Sequence, residues 1–549
     1  EGLKHTLSSS FDLSSDLVMV HTSATPTVDA ISNVHPGSDE GGNIPVSEVH
    51  LAEQIANYKD VQSVAIVGAG VAGLQAARLL SQAGKHCVLF EASDNVGGVW
   101  RDNYADFGLQ VPRELYEFPG FPWPEGKQGE FPSGPEVQNY IEQYAKTHDL
   151  RKLIKFKTKV RGLTRRGVDK RGWTITYEDL DGSNDVKTMH ADFCIVATGM
   201  YSSEHPGPIL PLAENHVSFK GDIRHSSAFT DRKAAAGKHV LVVGGGKSAI
   251  DCAVAAAKEG KTCTLVTREM HWPVPRHLLN LVPFKWGTYS RFGSFMLDAH
   301  HEQTPVGQCF HGALVPVKRA WWRVVEVMFR GQFRLPSDMV PAIRIEHDLF
   351  NGGQVLSYEF RDMLQNGQIK LVVGEIDRFH ETGAVLKDGT DLACEMVIYG
   401  TGFRKNYDIF EKTLLEDGSL DMEKDGLYLY RNIIPPKLPN LAFIGSEVST
   451  FNNILSQGLQ MVWLARILTG QLVLPRVDAM EESLARDKTW KRSWMPASKV
   501  RASTWQLHMM KYHDTLLRDM GENHLRKGFN VFAEVLAPYN ARDYAELFQ

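Results

Sequence analysis

Two glycine-rich turns constrain this chain more than any other feature. At Gly68-Ala69-Gly70-Val71-Ala72-Gly73 the glycines follow an apolar run, residues 64–67, and open a helical stretch over 74–83, after which 87–91 reads as a second strand. The same grammar returns 176 residues later: an apolar strand at 239–243, then Gly244-Gly245-Gly246-Lys247-Ser248-Ala249, a helix over 248–258 and a strand at 263–266. In such a turn the first glycine permits the bend from strand to helix, and the second lets the backbone approach a diphosphate. The third small residue, Gly73 or Ala249, lets the helix pack on the strand. The diphosphate then meets the unpaired N–H groups at a helix N-terminus. The expected fold class is therefore α/β, with two dinucleotide-binding (Rossmann-like) domains.

What ends the second strand of each unit separates the two sites. Glu91 stands where a ribose-binding acid is expected; it accepts hydrogen bonds from hydroxyls and repels a 2'-phosphate, so site one suits FAD or NAD. Thr267-Arg268 occupies that place in site two, and a guanidinium forks to phosphate oxygens. A solvated loop arginine is the plainer reading of Arg268. Taken together, the two ends indicate FAD at the first turn and NADPH at the second.

A chain of 549 residues exceeds what one hydrophobic core usually supports, which fits two core-forming units with appendages. A net charge of -5 gives no general attraction to nucleic acid or to an anionic membrane, and no apolar run is long enough for a transmembrane anchor. Six cysteines without a CxxC pair read as buried, reduced thiols of an intracellular, cytoplasmic protein, and they weigh against a disulfide reductase of the same two-nucleotide fold. Residues 1–58, rich in Ser, Thr, Asp and Gly, read as a flexible N-terminal extension.

With these motifs in order, the chain resembles the flavin-containing monooxygenase family, a group of class B flavoprotein monooxygenases, over about residues 62–475. Gly97-Gly98-Val99-Trp100 is similar to the family's GGxW segment, which lies against the flavin. Phe219-Lys220-Gly221-Asp222-Ile223-Arg224-His225-Ser226-Ser227-Ala228-Phe229 fits the FxGxxxHxxx(Y/F) fingerprint and is the most specific of these signals. Ala197-Thr198-Gly199 and Gly400-Thr401-Gly402 resemble the two segments where the chain passes between domains. Leu109-Gln110-Val111-Pro112 and Gly246-Lys247-Ser248-Ala249-Ile250-Asp251 look closest to the plant-like branch.

The resemblance implies an NADPH domain (214–390) inserted in a split FAD domain (59–213 and 391–475), followed by a helical C-terminal cap (476–549). It further implies NADPH- and O2-dependent oxygenation of a soft nucleophile, a small amine, amino acid or sulfide, by way of a flavin hydroperoxide. The cofactor would carry the chemistry while the protein orients it and excludes water. Gln110, in place of the family's usual asparagine, and His225 are the catalytic candidates. Gly68, Gly70, Gly73, Glu91, Gly98, Trp100, Thr198 and Gly199 are the candidates for FAD; Gly244, Gly246, Ser248, Ala249, Thr267 and Arg268 are those for NADPH. No metal site is expected, and a homodimer is compatible with the sequence.

Two rivals remain open. The histidine block ends in Phe229-Thr230 and not in the tryptophan of Baeyer-Villiger enzymes, which makes ketone oxygenation the secondary branch. A flavin-binding interaction protein without turnover is the other. The aromatic residues between Trp272 and Trp322 read either as a cage for an amine or as core and dimer contact, the second being the simpler.

Overall fold

The fold was derived from a computed structural model, which describes residues 58–549 apart from 126–128, 167–171, 183–184, 202–208, 351 and 406. The extension expected over 1–58 lies, save for Tyr58, outside the described residues.

Both glycine turns fold as the apolar runs require. Strand Ser63–Val67 alternates its side chains between two cores: Val64 and Ile66 enter one, Ala65 and Val67 the other. Strand His239–Val243 does the same, with Val240 and Val242 on one face and Leu241 and Val243 on the other. A strand buried on both faces needs apolar residues at every position, which is why neither run alternates with polar ones. Helices Val71–Gln82 and Lys247–Glu259 follow, each with an extended glycine, Gly70 or Gly246, before its first residue.

Two five-stranded parallel sheets result, and they are built alike. The first runs Leu441–Phe443, Phe193–Val196, Ser63–Val67, His86–Phe90, Ile154–Lys155. The second runs Asp222–His225, Met396–Tyr399, His239–Val243, Thr262–Thr267, Ile369–Val373. Each also carries a three-stranded antiparallel sheet: Thr158–Arg166 with Gly172–Asp179 and Val186–Ala191 in the first, Ile376–His380 with Gly383–Leu386 and Asp391–Ala393 in the second.

The edges are exchanged. The chain leaving the first sheet at Val196 supplies strand Asp222–His225 at the edge of the second, and the chain leaving the second at Tyr399 supplies Leu441–Phe443 at the edge of the first. Strand Met396–Tyr399, assigned by its position in the sequence to the second part of the first unit, in fact pairs with both Asp222–His225 and His239–Val243. The meander before it cannot be told from a linker by periodicity, so the sequence boundary near 390 fell one strand early.

Helix Asn453–Leu468 is buried on nearly every side. It packs against helix Val71–Gln82 on one side and helix Met509–Asp519 on the other, which explains an apolar pattern that runs all round. The C-terminal segment contains helices Val477–Trp494, Met509–Asp519 and Val531–Leu536. Its Trp490, Trp505, Met509 and Met510 belong to the same core as the first turn. Between strands Thr262–Thr267 and Ile369–Val373 lies a largely helical stretch whose longest element is Val315–Phe333.

Five of the six cysteines are buried, and Cys309 is exposed. Burial pushes the thiols of Cys194, Cys263 and Cys394 up to about 12.

Candidate functional site

The first turn is held by contacts that leave no room for a side chain. The Gly68 N–H donates to the Phe90 carbonyl at 2.8 Å, and a Cβ on Gly68, whose φ is +105°, would stand 2.6 Å from the Ala197 carbonyl oxygen. A Cβ on Gly73 would stand 1.9 Å from the Gly68 carbonyl oxygen. The second turn repeats this. The Gly244 N–H donates to Val266 at 2.8 Å, its φ is +136°, and a Cβ there would lie 2.5 Å from the Gly400 carbonyl oxygen. Ala249, fully buried, stands where Gly73 does in the first turn. Ala197 and Gly400 thus play the same part, each opening one of the two crossing segments.

A cleft of about 580 Å³ opens at the first turn. Gly68, Gly70, Glu91, Gly98, Trp100, Gln110, Thr198 and Gly199 all line it, so eight of the sequence candidates converge. Gly73 does not; it serves helix packing. The Gly97-Gly98 turn lies directly on the first glycine turn, with the Gly97 N–H donating to Ala69 at 3.1 Å and a Cβ on Gly98 only 3.3 Å from the Gly70 Cα. Trp100 is fixed by an Nε1–H bond of 2.7 Å to the Tyr116 hydroxyl and stacks on Phe107.

Glu91 does more than wait for a ribose. One of its carboxylate oxygens accepts from the Ala69 N–H at 2.7 Å, and the other accepts from Ser93 through both N–H and hydroxyl. A carboxylate offers about four acceptor positions, so one remains on the oxygen facing Ala69. Glu91 therefore braces the turn and can still take a hydroxyl. With the glycine cradle, this donor and acceptor set fits an FAD adenosine diphosphate at a cleft within the usual size of ligand pockets.

At the second turn the space is smaller. A pocket of about 50 Å³ there is lined by Gly245, Thr267, Glu269 and His271. Arg268 is exposed just past the end of strand Thr262–Thr267, and Gly246 faces open space. The turn fits a diphosphate, but the pocket beside it is narrowed by the His271 imidazole, which Asp348 holds at 2.8 Å. Burial disfavours the charged imidazole, but the Asp348 hydrogen bond and charge outweigh it and raise the His271 pKa. Ser248, at the second position of the helix, is half-buried beside the turn.

His225 does not line the cleft. It is buried with its Nδ1 accepting from the Ser227 N–H at 3.2 Å, which leaves Nε2–H to donate to the Gly402 carbonyl at 3.1 Å. Burial lowers its pKa, against the opposing hydrogen bond to Gly402. Its place opposite Tyr399 in the sheet makes it the pin between the two crossing segments. Ser227, two residues on, does reach the cleft.

Other groups there were not among the site candidates read from the sequence. Lys247, the first residue of the second nucleotide helix, lines the first cleft and pairs with Asp251 one turn later. The Tyr104 hydroxyl, in the loop after Trp100, donates to Asp251 at 3.0 Å. Lys247 and Asp251 sit inside the second glycine motif and could have been noted; Tyr104 offered no signal. Tyr407 also lines the cleft and bonds the buried Glu447, whose pKa burial raises against the opposing charge of Lys405. Trp272 and Trp322 are core residues, whereas Trp321 and Trp286 are exposed.

Against known proteins, the profile of the family described as "FMO-like: Flavin-binding monooxygenase-like" matches residues 61–524. "Probable flavin-containing monooxygenase 1" of Arabidopsis thaliana is 31% identical over 532 residues, covering 89% of this chain and 97% of that protein. "Flavin-containing monooxygenase 3" of Homo sapiens is 26% identical, covering 82% and 81%. Similar solved folds include a steroid monooxygenase bound to NADP (TM-score 0.61, 19% identity, 84% and 99% covered). An S-allyl-L-cysteine S-oxygenase from Allium sativum is another (TM-score 0.57, 18% identity, 84% and 89% covered).

Proposed function

The chain belongs to the flavin-binding monooxygenase-like family, and from that premise we propose that it oxygenates a soft nucleophile at nitrogen or sulfur. It is a flavin-dependent monooxygenase that uses FAD and NADP(H). Bound FAD would supply the acceptor for two electrons from NADPH and the activation of oxygen; the chain's own residues supply position and shelter.

One observation carries the substrate reading. The cleft at the first turn joins an amide, Gln110, and an indole, Trp100, to a wall of Phe107, Leu349, Phe350 and Phe403. Such a wall excludes water and favours an apolar molecule whose own lone pair is the reacting group, because no side-chain nucleophile has to be activated. In this reading Gly68, Gly70, Gly98, Glu91, Thr198 and Gly199 hold FAD, Gly73 keeps the turn packed, and Trp100 and Gln110 face the reacting end of the flavin. Gly244, Gly246, Ser248, Ala249 and Thr267 form the NADPH turn, and Arg268 takes the 2'-phosphate. His225 acts by position, through the crossing segments.

The test is a panel of tertiary amines, thioethers, amino acids and cyclic ketones, each incubated with NADPH and isotopically labelled O2. N-oxides, hydroxylamines or sulfoxides carrying one labelled oxygen are expected. Esters from the ketones, with no product from amines or sulfides, would overturn the reading.

A further inference from the structure

Away from the cleft, three side chains from distant parts of the chain meet. His300 and His301 lie on the loop between helices Arg291–Phe295 and Pro305–Ala313, and Asp487 lies on helix Val477–Trp494. One ring nitrogen of each histidine and a carboxylate oxygen of Asp487 stand within 4.8 Å of one another. Two adjacent histidines with an acid 186 residues further on make no ligand spacing, so the sequence pattern holds no sign of them. The loop is fixed independently, because Trp490 Nε1–H donates to the Ala299 carbonyl at 2.8 Å and Glu302 pairs with Arg431 at 3.2 Å. The three donors are therefore placed in advance.

The ring nitrogens are short of partners. His301 Nε2–H donates to Asp487 at 2.5 Å, which leaves the Nδ1 lone pair buried and with no hydrogen-bond partner among the described residues. His300 is 5% exposed; its Nδ1 accepts from the Glu302 N–H at 3.2 Å, and its Nε2 is likewise buried without a partner. The two rings lie 4.3 Å apart. A buried polar group left unpaired costs free energy, so two on neighbouring rings beside a carboxylate call for a ligand.

That ligand is a cation, since imidazole lone pairs and a carboxylate all donate electrons to it. An ion at His300 Nε2 moves the ring proton to Nδ1 and gives up the long bond from Glu302, a loss that a coordinate bond more than offsets. Two imidazoles and one carboxylate are zinc-type donors, whereas calcium and magnesium take oxygen ligands. Ligands about 2.0–2.1 Å from a tetrahedral ion stand ~3.3 Å from one another, so the donors need only a modest inward movement. The side chains of His301 and Asp487 are 13% and 16% exposed, which leaves a route from solvent and a fourth position for water.

We propose that His300, His301 and Asp487 bind one divalent transition-metal ion, zinc being the fitting occupant, and that the ion clips the loop at 299–302 to helix Val477–Trp494.

The test titrates the FAD-loaded full chain, stripped of metal by a chelator, with zinc chloride and separately with calcium chloride in a calorimeter. Zinc is expected to bind at one equivalent and to raise the melting temperature, and calcium to do neither. The zinc X-ray absorption spectrum should show nitrogen and oxygen at about 2.0–2.1 Å, with imidazole scattering and no sulfur. Asp487→Asn removes the charge at nearly constant size and should weaken zinc binding by at least about tenfold with flavin content kept. His380→Asn breaks the pair of His380 with Asp391, an exposed surface site, and should bind zinc as the wild type does. Should Asp487→Asn lose flavin, His301→Gln takes its place in the comparison, and the wild-type spectrum decides if both variants fail to fold. The proposal is overturned by a wild type that takes up no zinc, by full zinc affinity in folded Asp487→Asn or His301→Gln, or by a metal shell without imidazole.

Discussion

At the scale of single residues, the two glycine turns differ in what a methyl group would do. At Gly68 a Cβ would collide with the Ala197 carbonyl and the φ of +105° disfavours any side chain, so Gly68→Ala should strip FAD from the purified protein by at least tenfold. At Gly246 the backbone is extended and no atom lies within 4 Å, so Gly246→Ala should fold and keep FAD while its NADPH affinity falls. Flavin content and NADPH titration of the two variants check this; loss of FAD from the second would defeat it. Arg268 stands exposed where a 2'-phosphate would lie, and a fork to a charged oxygen is worth about 1.5–3 kcal/mol. Arg268→Ala should therefore shift the NADPH/NADH ratio of kcat/KM toward NADH by roughly ten- to a hundredfold. An unchanged ratio would leave Arg268 as a surface residue. Gly68 and Gly244 were legible because each answers a local backbone demand, whereas Glu91 was read as a ribose acid and its bracing of the Ala69 N–H was not legible. His225 was legible as a motif but not in its role, because its partner is a carbonyl 177 residues away.

At the scale of elements, one link between the two nucleotide units is polar and was invisible in the sequence pattern. Tyr104 from the first unit grips Asp251 on the second unit's helix, beside Lys247 in the cleft. Tyr104→Phe removes only that hydroxyl. It should slow flavin reduction by NADPH about five- to tenfold in stopped-flow measurements, the equivalent of the roughly 1–1.5 kcal/mol of one hydrogen bond, without changing melting temperature much. An unaltered reduction rate would make the contact merely structural. The segment around His271 is fastened differently. Strands Pro273–Pro275 and Gln354–Leu356 pair, and Asp348, fully buried, accepts from both the His271 ring and the Trp272 N–H. Because the folded His271 pKa is raised, its contribution is complete below the unfolded value of about 6.5 and is lost as pH climbs through the folded value. The melting-temperature gap between wild type and His271→Asn should therefore be widest near about pH 6 and narrow toward about pH 9. A gap that widens with pH would reverse the assignment.

At the scale of the whole molecule, the sequence pattern conveyed two nucleotide units but not how they interlock. The strands at 63–67 and 239–243 announce themselves by continuous apolar runs, whereas the edge strands Asp222–His225 and Leu441–Phe443 are short, and their partners lie across the crossing segments. The C-terminal segment shows most clearly how burial changes a reading. As a sequence, residues 476–549 look like an appended cap, yet Tyr512 bonds Gln460 at 2.8 Å, His513 bonds Ser456 at 2.7 Å, and the Arg78 guanidinium of the first nucleotide helix reaches the Phe548 carbonyl at 3.2 Å. Removing the segment would uncover helix Asn453–Leu468 and with it one flank of the first nucleotide helix. Each fully buried large apolar side chain returned to water costs about 1.5–3 kcal/mol. A handful of them equals the about 5–15 kcal/mol by which a domain is stable. A chain ending at Leu474 should therefore fail to accumulate as soluble, FAD-bound protein, whereas one ending at Leu525, which retains helix Met509–Asp519 and loses the last helix, should keep measurable flavin with a lower melting temperature. Soluble, flavin-loaded protein from the shorter chain would show that the first unit folds without its cap, and that the shared core is a consequence of docking and not a requirement of the fold.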